Sequence, residues 1–409
     1  MSESPLAEDL IRNTYVDNIF YGVETIDQGK DFYNASKQLF LQAGMNLRQY
    51  SSNSSDLNEF FVGKEGTSIN DNNKILGIRW NMRNDQFTIQ LPTLPTLYTA
   101  WTKRQVLKIV ASVYDPLGWC SPVLFSGKLF LQSLWKEKLG WDDALPPHLS
   151  TMWNEITSKW TKTQIIIPRR ILTGTKSTST FEIHIFTDAS KTGYCAVAYL
   201  VEINNKRTCS LLMSKTRLAP LKSLLTIPRL ELSAIALGSK LLMHIRSNLD
   251  IAAEKTYIWS DSNVALMWIK NKTSKPVFIR NRIESIRKNA PDTNLRFVPG
   301  SNNPADVGSR GLAIDDLLSY DTWWNGPSFL VFTDDRWPTD ISSEQNHSSY
   351  HTKEPDAIPP TPKILLEPES SKIRQSETTL RLFKCGTSPE SGSYTLSNCT
   401  DAISTIACS

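Results

Sequence analysis

The chain has 409 residues, 40% of them apolar and 21% charged, with a formal net charge of +4. That length supports two or three domains with real cores, and the mild basic excess suits a phosphate-bearing partner without demanding one. No apolar run approaches the ~18 residues that span a bilayer, and the opening MSESPLAEDLIR is too acidic and polar for a signal peptide. Cys120, Cys195, Cys209, Cys385, Cys399 and Cys408 show no CxxC or metal spacing. They read as reduced thiols in an intracellular protein.

In chain order, Tyr15-Val16-Asp17-Asn18 sits between apolar residues and predicts a β-hairpin turn, with a helix after it over 31–43. Lys74 to Trp80 (KILGIRW) reads as one strand. Phe87, Ile89 and Leu91 alternate as its companion, and Pro92 and Pro95 break the pattern. Thr102 caps a predicted helix running to Val113. Its Lys103, Arg104 and Lys108 either face nucleic acid or form a solvated face, the commoner case. Leu129, Leu131, Leu134, Trp135 and Leu139 read as core rather than as a base-stacking platform. A short helix over 153–160 and a strand over 165–168 follow. The polar GTKSTST at 174–180 reads as a linker and places a domain boundary.

The stretch from Phe181 to Arg310 organises the chain. Phe181, Ile183 and Ile185 alternate with polar residues and predict a strand ending near Thr187-Asp188. Ala196, Ala198 and Leu200 continue as a second strand after a turn at 191–193, and a third runs from Arg207 to Met213. Pro228 suits a first helical position, and Leu230, Ala234, Leu237, Leu241 and Ile245 recur at helical spacing. Glu231 falls in that helix's first turn. Tyr257 to Trp259 form a short buried strand delivering Asp261, 264–269 look helical, and Leu295 to Val298 read as a last strand before a Pro/Gly/Asn loop and Asp306. The predicted order is strand, strand, strand, helix, strand, helix, helix, strand, helix.

Asp188, Glu231, Asp261 and Asp306 therefore stand where strands end or helices begin, amid apolar residues. Buried carboxylates repel one another and lose hydration, so a core rarely keeps several without a cation. Oxygen-only ligands suit Mg²⁺ or Mn²⁺ rather than zinc. Each residue alone has a plainer reading as a turn or helix cap; the four in order weigh against it. Asp306 follows a flexible loop, and Asp315 or Asp316 lies further on. After Asp261, Lys270, Lys272, Lys275, Arg280, Arg282, Arg287 and Lys288 fall in a short span with Trp268 and Phe278 interleaved. They read as a rim that binds phosphates, against a solvated helix face. Trp323, Trp324, Gly326, Pro327 and Leu330 suggest a segment docked on the preceding domain. Beyond Trp337 the chain is Ser/Thr/Pro/Glu/Lys-rich and reads as disordered. His347 and His351 have the spacing of a zinc pair, but no paired cysteines follow.

These motifs resemble the RNase H fold of reverse-transcribing elements. DAS at 188–190, PRLEL at 228–232, WSDS at 259–262 and NPADVGSRG at 303–311 are most similar to the Pol polyprotein of BEL/Pao-type retrotransposons, in the region often labelled Pao retrotransposon peptidase. The resemblance implies that Asp188, Glu231, Asp261 and Asp306 hold two divalent cations (Mg²⁺ or Mn²⁺). It also implies an endonuclease that hydrolyses the RNA strand of an RNA–DNA hybrid, leaving a 3′-hydroxyl and a 5′-phosphate. Two cations about 4 Å apart activate the attacking water and stabilise the leaving oxygen. A hybrid is bound by shape and 2′-hydroxyls, not by sequence. The loop VPGSNNPA lacks the histidine many cellular RNases H carry, which bears on product release more than on metal binding. YVDN resembles the YVDD box of a reverse-transcriptase palm, with Asp17 as a vestigial metal ligand and Asn18 in place of its second acid. The upstream palm strand and fingers of that polymerase superfamily are not in the chain, so no polymerase activity is expected of it. DPLG to GWD (115–142) resembles the thumb and connection.

The expected organisation is a truncated palm fragment at 1–100, a thumb/connection region at 101–174, an RNase H-like domain at 175–335 and a disordered tail at 336–409. The expected fold is mixed α/β (α+β), with a five-stranded mixed sheet flanked by helices. Expected partners are an RNA–DNA hybrid and the rest of a Pol polyprotein, with no membrane. The expected location is the cytoplasm, virus-like particles or the nucleus. Two alternatives stay open: an inactive nucleic-acid-binding remnant, and an aspartic peptidase. The peptidase needs paired Asp-Thr/Ser-Gly loops, for which Asp188-Ala189-Ser190 is a single, glycine-free match.

Overall fold

The computed structural model describes residues 5–69, 73–93, 100–172, 179–221, 225–249 and 251–339. Helix α1 (Pro5–Asn13) leads into β1 (Thr14–Tyr15) and β2 (Asn18–Ile19), which pair antiparallel across Val16-Asp17. The expected hairpin turn is there, with Val16 at φ 56°, as two-residue hairpin loops require. Helix α2 (Ile26–Gln42) starts at a capping box made by Thr25 and Gln28, earlier than the sequence suggests. It packs on α3 (Ser55–Glu65) through Tyr33, Leu57 and Phe61. Glu65 accepts from the Tyr33 hydroxyl and pairs with Lys37.

KILGIRW is not one strand. β3 (Asn73–Ile75) and β4 (Ile78–Asn81) form a hairpin around Leu76-Gly77, both with positive φ (49° and 88°). The glycine signals the turn, and the flanking β-branched residues conceal it. β5 (Gln86–Gln90) pairs with β4 and, across a long excursion, with a strand near residue 165. That excursion holds α4 (Lys103–Ala111), α5 (Ser121–Ser133) and α6 (Pro147–Ser158), and returns as β6 (Gln164–Pro168). The sheet order is β3-β4-β5-β6. A bidentate Arg169–Asp85 pair closes its end. Thr102 caps α4 as expected, again with a capping box. Trp135 departs from the expected core set: it is 58% exposed, edge-on to Trp141 and under the Lys103 ammonium.

The second sheet contains β7 (Thr180–Ala189), β8 (Gly193–Ile203) and β9 (Arg207–Leu218) as an antiparallel meander. Helix α7 (Ile227–Asn248) then crosses to β10 (Ala253–Ser260), which runs parallel to β7. Helices α8 (Asn263–Lys270) and α9 (Val277–Asn289) precede β11 (Asn294–Phe297), parallel to β10. Short helices α10 (Ala305–Arg310), α11 (Ile314–Ser319) and α12 (Asp321–Asn325) follow. The order β11-β10-β7-β8-β9 is the expected five-stranded mixed sheet.

Both faces of this sheet are covered. Ile183, Ile185, Ala198, Leu200 and Ile258 pack against α7 and α9 through Leu232, Ile235, Leu242, Ile283 and Ile286. Phe186, Val197, Tyr199 and Trp259 pack against Trp119, Val123 and Leu124 near α5, and against Trp323 in α12 and Phe329 and Leu330 after it. The Trp323–Leu330 segment is thus docked: the Trp323 indole donates to the Trp119 carbonyl, and the Tyr199 hydroxyl donates to the Trp323 carbonyl. The polar residues alternating in β7 are also inside. Glu182 is bonded to Arg207 (2.5 Å) and His184 (3.2 Å), and the Trp259 indole donates to His184 Nδ1 (3.1 Å). That arrangement leaves the His184 proton on Nε2, facing the carboxylate. No described helix is long and apolar enough to cross a membrane.

Candidate active site

Parallel β7 and β10 end at the same edge of the sheet, and ligands in such sheets gather at the carboxyl ends of strands. Asp188 is the penultimate residue of β7, and Asp261 follows the last residue of β10. The Thr187 hydroxyl donates to the Trp259 carbonyl (2.8 Å) and fixes the two ends together. Glu231 arrives from α7. It sits just past the first turn, since that helix opens at Ile227 and Pro228 is its second residue. Gly238 lets α7 lie against β7; a Cβ there would come within 2.8 Å of Thr187 Cγ2. Glu231, two turns earlier on the same helical face, is thereby brought to the strand end.

Asp188, Glu231 and Asp261 offer carboxylate oxygens that all lie within 4.8 Å of one another. Asp188 is 2% exposed and Glu231 6%. Burial, then the charges of Asp188 and Asp261, push Glu231 up to about 9. Burial and Asp188 push Asp261 up to about 6. Burial raises Asp188 as well, against a hydrogen bond from Ser309. Glu231 Oε2 and Asp261 Oδ1 are buried without a hydrogen-bond partner. Orphaned acceptors of this kind cost free energy unless something meets them. An oxygen-only, mutually repelling set fits Mg²⁺ or Mn²⁺; no other described group of three potential ligands comes as close.

Asp306 lies in the first turn of α10 and is not in that tight group. It is near enough to raise both Asp188 and Asp261, but its Oδ1 is held by Arg310 Nε at 2.6 Å. Asp315, the later alternative, pairs instead with Lys162 and accepts from Thr161. Asp17 is exposed at its hairpin, where Oδ1 accepts from the Asn18 amide (2.9 Å).

The seven basic residues divide. Lys270 ends α8, Lys272 and Lys275 lie between helices, and Arg280, Arg282, Arg287 and Lys288 are on α9. Arg282 stacks on Phe278 (3.3 Å to the ring centroid) and donates to the Ser233 hydroxyl, two residues from Glu231. Arg287 donates to the Ile269 carbonyl (3.0 Å). Lys272, Arg280 and Lys288 are exposed.

Several residues that build the site are not evident in the sequence. Asn303 donates to the Thr187 carbonyl (3.0 Å), the Ser190 hydroxyl donates to the Ser309 carbonyl (2.7 Å), and the Ser309 hydroxyl donates to Asp188 Oδ2. The only sequence signal for them is their place within NPADVGSRG and DAS.

Residues 102–262 match a family model described as the Pao retrotransposon-like RNaseH-like domain. That span runs from the cap of α4 to just beyond Asp261; it contains Asp188 and Glu231 and stops before Asp306. Among solved structures, the chain is similar to the N-terminal RNase H domain of a Mycobacterium tuberculosis protein, with 13% identity, 34% of this chain and 98% of that one covered, and a TM-score of 0.23. It is also similar to RNase H1 of Halobacterium salinarum (10% identity, 34% and 98% covered, TM-score 0.22). A third is the foamy viral protease-reverse transcriptase in complex with double-stranded DNA (13% identity, 71% and 56% covered, TM-score 0.40). No curated protein matches the chain. The similarity to the Pao retrotransposon-like RNaseH-like domain is thus confined to residues 102–262.

Proposed function

We propose that this protein is a Pol fragment whose RNase H-like part cuts the RNA strand of RNA–DNA hybrids by metal-assisted phosphodiester hydrolysis. The observation that carries the reading is the cluster of buried Asp188 and Glu231 with half-buried Asp261, two of whose carboxylate oxygens are left without partners. Asp188, Glu231 and Asp261 would hold divalent cations, with Asp306 completing the set once its carboxylate turns from Arg310. Two bound cations supply an activated water and neutralise charge on the leaving oxygen. The chain supplies fixed carboxylates, a dry floor formed by β7 and β10, and exposed cations on α9 for the hybrid's phosphates.

The peptidase alternative is not taken up. The matching family is described as RNaseH-like, and Asp188 stands among carboxylates rather than opposite a second Asp-Thr/Ser-Gly loop. The test is a substrate panel with the full chain and Mg²⁺: RNA–DNA hybrid, double-stranded RNA, double-stranded DNA and single-stranded RNA. Cleavage confined to the RNA of the hybrid supports the proposal. Equal cleavage of double-stranded DNA, or none of any substrate by folded protein, refutes it.

A further inference from the structure

The link between NPADVGSRG and the end of β7 singles out one side chain. Ser309 is fully buried, and its hydroxyl donates to Asp188 Oδ2. The same Oγ lies 3.1 Å from the Asp306 carbonyl. A hydroxyl has one proton, and a carboxylate is the stronger acceptor. The backbone of Ser309 is held by other means. Its carbonyl accepts from Ser190 (2.7 Å), and Asn303 ties the preceding turn to Thr187 (3.0 Å). The neighbouring Gly308 packs so closely that a Cβ would come within 2.3 Å of Cys195 Sγ. The hydroxyl is therefore not needed to place α10; what it fixes is the carboxylate.

We infer that Ser309 is a positioning residue for the metal centre: it holds one oxygen of Asp188 and so sets the orientation in which that carboxylate meets Glu231 and Asp261. The inference rests on the metal reading proposed above. A carboxylate ligand without its outer partner is free to rotate out of the orientation the cation needs, and such partners are worth about 10–100-fold in metal affinity. Substituting Ser309→Ala leaves Asp188 Oδ2 without its donor while the surrounding backbone contacts persist.

The experiment is equilibrium Mn²⁺ binding to the full chain, read as loss of the free-ion EPR signal, for the parent, Ser309→Ala and Asp188→Asn. Thermal unfolding in EDTA is measured beside it. The expected result is a Kd for Ser309→Ala about 10–100-fold above the parent's, little change in EDTA stability, and weaker binding still for Asp188→Asn. In hydrolysis, the Mg²⁺ concentration for half-maximal rate rises while the KM for hybrid stays. A parent that binds Mn²⁺ with Ser309→Ala binding equally well overturns the inference and leaves the site standing. Lower EDTA stability with unchanged Mn²⁺ affinity overturns it too, by showing a structural role. A folded parent that binds no Mn²⁺ overturns both the inference and the metal reading beneath it.

Discussion

Replacing Glu231 with glutamine should stabilise the metal-free protein. Glutamate ordinarily titrates at 4.5, and burial with Asp188 and Asp261 pushes Glu231 up to about 9. A carboxyl raised in the folded state contributes most below 4.5. Its contribution is lost as pH rises through the window from 4.5 to about 9. Each pH step in that window is worth about 1.4 kcal/mol, so by pH 7 the loss is about 3 kcal/mol. Glutamine does not ionise, so it escapes that loss. In EDTA at pH 7, chemical denaturation should find Glu231→Gln more stable than the parent by about 3 kcal/mol. The gap should widen toward pH 9 and close near pH 4.5. Mg²⁺ should reverse the order, because a ligand that binds only the folded parent raises its stability by mass action. A variant no more stable than the parent in EDTA at pH 8, or a gap independent of pH, would show that Glu231 is not held protonated by burial and its two neighbours.

Other outcomes follow from the packing and the charges. Gly308→Ala forces a Cβ against Cys195 Sγ and should cost about 1–3 kcal/mol in denaturation; Cys195→Ala in the same chain should restore part of it. Trp323→Ala removes a fully buried indole that bonds the Trp119 carbonyl. It should cost about 3–5 kcal/mol, and unchanged stability would show that α12 is not part of the core. Reversing Arg280 and Lys288 to Glu should weaken hybrid binding and flatten its salt dependence by roughly one log unit per lost phosphate contact. An unchanged salt slope would remove α9 from the binding surface.

The sheet was legible because its strands obey simple patterns. Alternation in β7 and β8, the helical repeat of α7 and the brief apolar run of β10 gave the order of elements from residue 180 to residue 310. The alternation in β7 does not say what its polar face meets. Glu182 and His184 hold the polar positions of that strand, and they are buried and bonded to each other. A polar residue with a distant partner cannot be told from a solvated one by spacing. KILGIRW hid a turn because Gly77 is one residue among strand formers. Trp135 reads as core by type, but α5 ends at Ser133 and leaves it outside. Of the candidate site, acids at strand ends could be read locally. The roles of Ser309 and Asn303 could not, because each acts on β7 more than 100 residues earlier.

Metal-dependent cleavage at the carboxylate cluster is best followed on a labelled RNA strand in an RNA–DNA hybrid incubated with the full chain, Mg²⁺ or EDTA, beside Asp188→Asn and Asp261→Asn. The expected result is cutting by the parent only with Mg²⁺, products ending in 3′-hydroxyl and 5′-phosphate, and a loss of cutting in both folded variants. Cutting that persists in EDTA, or in either variant at the parent's rate, would contradict it.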